Sequence, residues 1–258
     1  MLDLARDILH LLSMSIDVER YARHLVLREI GGPGQQALAR ADIGIVGAGG
    51  LGSPAALYLA AAGVGRLRLV DPDVVSLSNL QRQVLFQTDD VGKPKVERAS
   101  DHLNALNPAL QVDTHAVGID DSNASELLQG CDLVLDGCDN FPTRFAVDKA
   151  SRALGIPLVS GAVGRWDGQL GVFNRTPASP CYRCWVPAPP PDAETCAAVG
   201  IVGALTGIIG SMMALEAIKL VCEAGDSLDG RMMLFDGLSM TSRTVKLAKD
   251  PACCGCGG

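Results

Sequence analysis

Hydrophobic positions along the chain fall into short apolar runs, the first of them β-branched, separated by stretches with helical spacing, the alternation that builds a parallel sheet covered by helices. Ile43, Ile45 and Val46 make the first run, and Leu67, Leu69 and Val70 the second. Gln111 to Val117, Cys131 to Asp136 and Pro157 to Gly161 read as three further strands. Helices are predicted after Gly52, from Gly92-Lys93-Pro94-Lys95 to about Leu106, from about Ser122 to Leu128, and from near Phe141. Asp167 to Phe173 continues the sheet as an antiparallel extension, and Met232 to Asp236 with Thr244 to Leu247 forms a closing hairpin. The expected fold is α/β, a Rossmann-like, mostly parallel sheet with helices on both faces, an antiparallel extension and a structural zinc knuckle, in one domain over residues 1–258.

Three stretches need separate readings. Residues 1–40 are expected to hold N-terminal helices: Leu2, Leu4, Ile8, Leu9, Leu11 and Leu12 alternate with charges as in an amphipathic helix, and Gly31-Gly32-Pro33-Gly34 breaks the chain before another. Met14 is an alternative start. Val199 to Leu215 is the most apolar run, but it carries four glycines and runs directly into Glu216 and Lys219, so it reads as a buried core helix rather than a membrane span. Residues 185–196 form a crossover loop, because the prolines between Val186 and Thr195 forbid regular helix or central strand.

Composition narrows the function. With 258 residues, 48% of them hydrophobic, the chain can bury a complete α/β core. A formal net charge of −7 leaves no basic excess for nucleic acid. Nine cysteines without a cleavable signal, four of them in C-x-x-C pairs, indicate a cytoplasmic metal site rather than disulfides.

The chemistry concentrates at strand ends. Gly47-Ala48-Gly49-Gly50-Leu51-Gly52 has the spacing of a phosphate-binding turn: Gly47 permits the bend, Gly49 or Gly50 lets backbone N–H groups approach phosphate, and Gly52 lets the helix sit close to the sheet. Asp71 closes the next strand where a carboxylate can accept from ribose hydroxyls. Ser78, Asn79, Leu80, Gln81 and Arg82 form a polar loop over that turn, and Arg82 offers a fork for phosphate oxygens. Lys93 or Lys95 adds a mobile point charge. Asp139 and Asn140 lie at the end of the fourth strand, where Asp139 can hold Mg²⁺ on a triphosphate or cap the next helix. Cys181, Cys184, Cys253 and Cys256 are spaced as two halves of a closed, structural four-thiolate Zn²⁺ site that the fold must bring together. Cys196 stands at the end of the proline-rich loop, before a helix N-terminus that favours thiolate. Arg20 and Arg23 read from spacing alone as a solvated helix face.

These residues, in this order, resemble the MoeB/ThiF/HesA family, bacterial relatives of ubiquitin-activating enzymes. The likeness runs from Arg20 to Gly257 through Arg20-Tyr21-x-Arg23, the glycine turn, Asp71, Ser78 to Arg82, Gly92-x-Pro94-Lys95, Asp139-Asn140-x-x-x-Arg144 and both cysteine pairs. The resemblance implies a homodimeric adenylyltransferase. The terminal glycine carboxylate of a small ubiquitin-like sulfur carrier, ending in Gly-Gly, would attack the α-phosphate of ATP to give an acyl-adenylate and pyrophosphate. It implies that Arg82 and Lys95 stabilise the transferred group, that Asp139 holds Mg²⁺, that Asp71 holds the ribose and that Arg23 reaches the partner's ATP. Cys196 would be an attachment point for the carrier, as in some relatives. A separate sulfur donor, a cysteine desulfurase or rhodanese, would complete thiocarboxylate formation, with molybdenum cofactor, thiamin and tRNA thiolation pathways all open. Three rivals remain: an NAD-dependent dehydrogenase, which the glycine turn and Asp71 would serve equally well, a non-catalytic binding subunit of the same fold, and the related tRNA-modifying branch that activates a small carboxylate on a nucleoside.

Overall fold

The computed structural model describes residues 16–190 and 200–257. The predicted helix over residues 1–13, Met14 and Cys196 lie outside the described residues. Eight strands form one sheet: β1 (Asp42–Val46), β2 (Arg66–Val70), β3 (Gln111–His115), β4 (Leu133–Asp136), β5 (Leu158–Gly164), β6 (Asp167–Phe173), β7 (Arg231–Asp236) and β8 (Thr241–Lys246). Their order is β3-β2-β1-β4-β5-β6-β7-β8. β1 to β5 pair in parallel, while β6, β7 and β8 add on antiparallel, as the sequence predicts.

Side-chain alternation divides the core between the two faces. Ile43, Ile45, Leu133 and Leu135 point to one face, where they meet α2 (Gly31–Arg40), α3 (Gly52–Ala62), α4 (Lys95–Leu106) and α8 (Gly203–Cys222). Val46 and Val134 point to the other, where α5 (Ala124–Leu128), α6 (Phe141–Leu154) and α7 (Tyr182–Trp185) cover the sheet. A short α1 (Ala22–Leu25) precedes these elements. α2 begins at Gly31 itself, so Gly31-Gly32-Pro33-Gly34 is the first turn of the helix rather than a break before it. Proline in a first turn forgoes an N–H that has no helical partner there.

The apolar run is a helix of 20 residues, longer than the sequence reading allowed, and by length and composition it is apolar enough to cross a membrane. Its apolarity has a packing cause. Gly161 and Gly168 let it lie on bare strand backbone: a Cβ on Gly161 would come 2.5 Å from Met213 Sδ, and one on Gly168 2.6 Å from Ile209. Buried Glu216 is tied at 2.5 Å to Lys219 and accepts the Leu228 N–H at 2.8 Å.

Backbone contact is closest where β1 enters α3. A Cβ on Gly52 would overlap the carbonyl oxygen of Gly47, and one on Gly47, which sits at φ 90°, would come 3.1 Å from the Gly137 carbonyl oxygen. Gly52→Ala should therefore destabilise the fold by about 1–3 kcal/mol or more, since neither carbonyl is the movable end of a side chain. Urea unfolding would measure this, and an unchanged midpoint would contradict the packing described.

Candidate active site

β1 lies between β2 and β4, so consecutive connections leave it in opposite directions and open a crevice beyond the strand carboxyl ends. That crevice is a cleft of about 610 Å³. Gly47, Gly49 and Gly50 line its floor, with Gly52 beneath them starting α3. Asp71 braces the turn: its Oδ2 accepts the Ala48 N–H at 2.7 Å and its Oδ1 the Asp73 N–H at 2.9 Å. Burial pushes the Asp71 carboxyl above its ordinary range, while Lys95 and these two N–H donors work against the shift. The carboxylate predicted to meet a ribose thus also fixes the glycine turn.

Lys95 differs from the mobile point charge predicted. It is 4% exposed, with Nζ 2.8 Å from Asp73 Oδ2 and 3.9 Å from Asp71 Oδ1. The reason is local: the Lys95 N–H donates to the Asp73 carbonyl and the Val75 N–H to that of Lys93, pulling the start of α4 against the β2 exit. A fixed ammonium facing the cleft needs less reorganisation than a free one to meet an arriving phosphate.

Arg82 lines the cleft and is half-buried, its Nη1 donating to the Ser78 carbonyl at 3.1 Å. The rest of that loop is occupied with its own shape. Asn79 Oδ1 accepts the Ser76 N–H at 3.3 Å, Ser78 Oγ lies 3.1 Å from Ser76 Oγ, Leu80 packs on the core, and Gln81 approaches Gly203. Gln83, one residue past the predicted set, lines the cleft instead and is buried, with its Oε1 unpaired.

Across the cleft, Asn140 rather than Asp139 caps α6, its Oδ1 accepting the Thr143 N–H at 2.9 Å. Asp139 is left exposed on the cleft wall. Arg144, quoted from the sequence only as part of a motif, holds this wall together. Its Nη1 donates to Asp136 Oδ2 at 3.0 Å and to Ser160 Oγ at 3.1 Å. Its Nη2 donates to the carbonyls of Cys138 and, at 3.0 Å, Gly161. Burial alone would lower its pKa, but the Asp136 carboxylate, Tyr182 and Cys138 together more than offset this and leave it raised, so the guanidinium stays charged.

The outer wall comes from the cysteine region. Tyr182, Trp185 and Pro187 face the cleft from α7 and the start of the crossover loop, and Trp185 Nε1 donates to Gln169 Oε1 on β6 at 3.1 Å. Behind them the thiols of Cys181, Cys184, Cys253 and Cys256 lie within 4.8 Å of one another. Sγ separations are 3.6 Å for Cys181–Cys253, 3.4 Å for Cys184–Cys256 and 3.9 Å for Cys181–Cys184. A tetrahedral Zn²⁺ with bonds of about 2.3 Å sets S···S edges at about 3.8 Å, so these residues fit the ion. The Asp250 and Gly255 N–H groups donate to Cys184 and Cys253 Sγ at 3.4 and 3.3 Å, the outer hydrogen bonds that thiolate ligands need. Cys254 is exposed and turns toward Arg183 and the Pro187 carbonyl, so the extra thiol in that pair stays outside the cluster.

The fold thus brings together the glycine turn, Asp71, Arg82, Lys95 and Asp139. Arg23 is exposed on α1 and does not line the cleft. Sequence reasoning missed Asp73, Gln83, Gln169, Thr206 and Trp185, all of which line it. Asp73 had a signal in its place two residues after Asp71, whereas Gln169 and Thr206 depend on how distant elements pack.

A glycine turn, the cations of Arg82 and Lys95 and the exposed Asp139 carboxylate thus meet at the switch point of a doubly wound sheet, the place where α/β proteins of this class bind nucleotides. Residues 21–256 match the ThiF family, and the chain belongs to it. It is 44% identical over 247 residues to a sulfur carrier protein adenylyltransferase of Thermus thermophilus, covering 93% of this chain and 91% of that one. It is 45% identical over 254 residues to the SAMP-activating enzyme E1 of Haloferax volcanii, with 96% and 93% covered. To the adenylyltransferase and sulfurtransferase MOCS3 of Caenorhabditis briggsae it is 45% identical, over 93% of this chain but 61% of the longer relative. Among solved structures, Escherichia coli MccB with MccA-N7isoASN superposes with a TM-score of 0.83 at 22% identity, over 95% of this chain and 76% of that one, a likeness of fold. Family membership sets the dehydrogenase reading aside.

Two measurements check this geometry. Arg144→Met should cost about 3–5 kcal/mol in urea unfolding, because it strands the Asp136 carboxylate in the interior. Protein purified without chelator should carry about one zinc per chain by metal analysis, from the single four-thiolate cluster among the described residues.

Proposed function

We propose that the chain is an ATP-dependent adenylyltransferase that activates the terminal glycine of a small ubiquitin-like sulfur carrier. The observation carrying this reading is Asp139, a carboxylate left free by the Asn140 cap and facing the glycine turn with Lys95 and Arg82. A carboxylate oxygen of the carrier attacks the α-phosphorus, the bond to the bridging oxygen breaks, and pyrophosphate leaves. The product is a mixed anhydride of carrier and AMP. An ionised carboxylate needs no general base, so the protein supplies position and positive charge. The glycine-turn N–H groups and the α3 N-terminus receive phosphate oxygens, Lys95 and Arg82 stabilise charge on the transferring group, and Asp71 accepts from the ribose. Asp139 would hold Mg²⁺, which when bound neutralises charge on the departing pyrophosphate. The names of the Thermus and Haloferax relatives support this substrate class.

A homodimer fits the same reading. α3 and α8 leave an apolar groove around Leu57, Tyr58, Val84 and Ile208, with Tyr58 58% and Val84 63% exposed, a surface suited to a second copy. Arg23, outside its own cleft, would then reach the partner's ATP. The zinc cluster is structural, Cys196 is the carrier attachment point, and sulfur comes from a separate persulfide donor. A cytoplasmic setting suits these thiols.

ATP–pyrophosphate exchange, run with a panel of carriers ending in Gly-Gly, should require one carrier's intact terminal glycine. Asp139→Ala should lower that exchange by about 100-fold or more while leaving the urea midpoint intact. Wild-type exchange in this variant would refute the metal role. Arg23→Ala and Asp139→Ala chains, each impaired alone, should regain exchange when mixed, because a mixed dimer contains one complete site. Failure of the mixture to recover activity, with dimers present by light scattering, would remove Arg23 from the partner's site.

A further inference from the structure

Among the described residues, three buried side-chain atoms lack a hydrogen-bond partner: Gln83 Oε1, Arg98 Nε and Asp229 Oδ1. Two of them belong to groups otherwise engaged. Arg98 Nε lies 3.7 Å from Asp90 Oδ1, and the other oxygen of Asp229 accepts the Ser179 hydroxyl at 2.9 Å. Gln83 differs, because it is 4% exposed and lines the nucleotide cleft. Backbone contacts fix its place. The Gln83 N–H donates to the Asn79 carbonyl at 2.9 Å, its carbonyl accepts the Phe86 N–H at 3.1 Å, and Leu85 and Phe86 are buried in the core. Thr206 Oγ1 on α8 donates to the Arg82 carbonyl at 3.3 Å and holds the same stretch. The carboxamide therefore lies against the glycine turn: a Cβ built on Gly49 would meet Gln83 Nε2 at 3.6 Å.

We propose that Gln83 is a further catalytic residue, a neutral donor whose carboxamide N–H binds a non-bridging oxygen of the α-phosphate while the carrier carboxylate attacks. The inference rests on the adenylation reading above. Position along the turn selects the phosphate. Asp71, which meets the ribose in that reading, accepts from Ala48, and Gly49 is the next residue, so the group beside Gln83 is the first phosphate after the ribose. Energetics select the role. A buried carboxamide oxygen without a partner costs stability, and an apolar side chain of the same shape would avoid that cost. A charge-assisted bond from the nitrogen of the same amide to an anion offsets it, and a phosphate oxygen is such an anion. As charge gathers on the oxygens around phosphorus, a donor already held in place strengthens its bond without reorganising.

Wild type, Gln83→Met and Gln83→Ala are compared in pyrophosphate exchange with the panel carrier that supports wild-type exchange. The nucleotides are ATP and the two diastereomers of ATP that carry sulfur on the α-phosphorus. Urea midpoint and zinc content check folding. Gln83→Met keeps the shape and removes the stranded oxygen, so it should lower kcat with ATP by about 100-fold while the midpoint stays level or rises. Sulfur accepts hydrogen bonds weakly, so the preference for ATP over one diastereomer should shrink by about 10-fold in both variants, and the preference over the other should persist. A merely structural glutamine would do the reverse: the midpoint would fall, and rates with all three nucleotides would drop in proportion. Wild-type kcat in Gln83→Met, or unchanged preferences over both diastereomers in the variants, overturns the role and leaves adenylation standing. Should Gln83→Met fail to fold, the preferences in Gln83→Ala decide, and loss of fold in both marks the glutamine as structural and overturns the role. Absence of wild-type exchange with every carrier overturns adenylation and this role with it.

Discussion

The buried guanidinium of Arg144 is the constraint on which the site depends. A charge in the interior is tolerated only when paired and hydrogen-bonded, and Arg144 meets this by joining Asp136 at the end of β4, Ser160 and Gly161 on β5, and the Cys138 carbonyl between them. Its plane also lies 5.9 Å from the Tyr182 ring centroid. One side chain therefore ties the end of β4 to the middle of β5, the loop bearing Asp139 and the first residue of α7. Asp139 is exposed between two groups that are already engaged, the Cys138 carbonyl held by Arg144 and the Asn140 side chain capping α6.

The opposite wall uses a different device, an arrangement of backbone and carboxylate. Asp71 accepts from the glycine turn and from Asp73, Asp73 grips Lys95, and the backbone at Lys95 returns to Asp73. Shape and charge are thereby coupled: displacing the lysine would loosen the acid that shapes the turn. Both walls are preorganised before any nucleotide arrives, which suits a reaction whose catalysis is placement and electrostatics.

The cysteine cluster joins these walls to the surface. By bringing Cys181-x-x-Cys184 against Cys253-x-x-Cys256, the fold holds α7 over the cleft and sets Trp185 against Gln169 of β6. The cluster lies behind the residues that form the outer wall of the cleft, Tyr182, Trp185 and Pro187, so its geometry sets where that wall stands.

The strands, the helices between them and the antiparallel end of the sheet were legible along the chain, because each strand is a short apolar run and most connections carry a helical period, signals that are local. The sequence also determined the glycine turn, Asp71 and the cysteine pairs, since residue type and spacing carry their chemistry. The surroundings of Lys95, Arg144 and Trp185 come from packing between elements. Lys95 reads as a mobile surface charge until Asp73 is seen against it, Arg144 as an ordinary helix residue until four partners from β4, β5 and the loop between converge on it, and Trp185 as a loop aromatic until β6 lies opposite. In each case the deciding partner comes from another element, and no periodicity along the chain reports contacts set by how elements pack together.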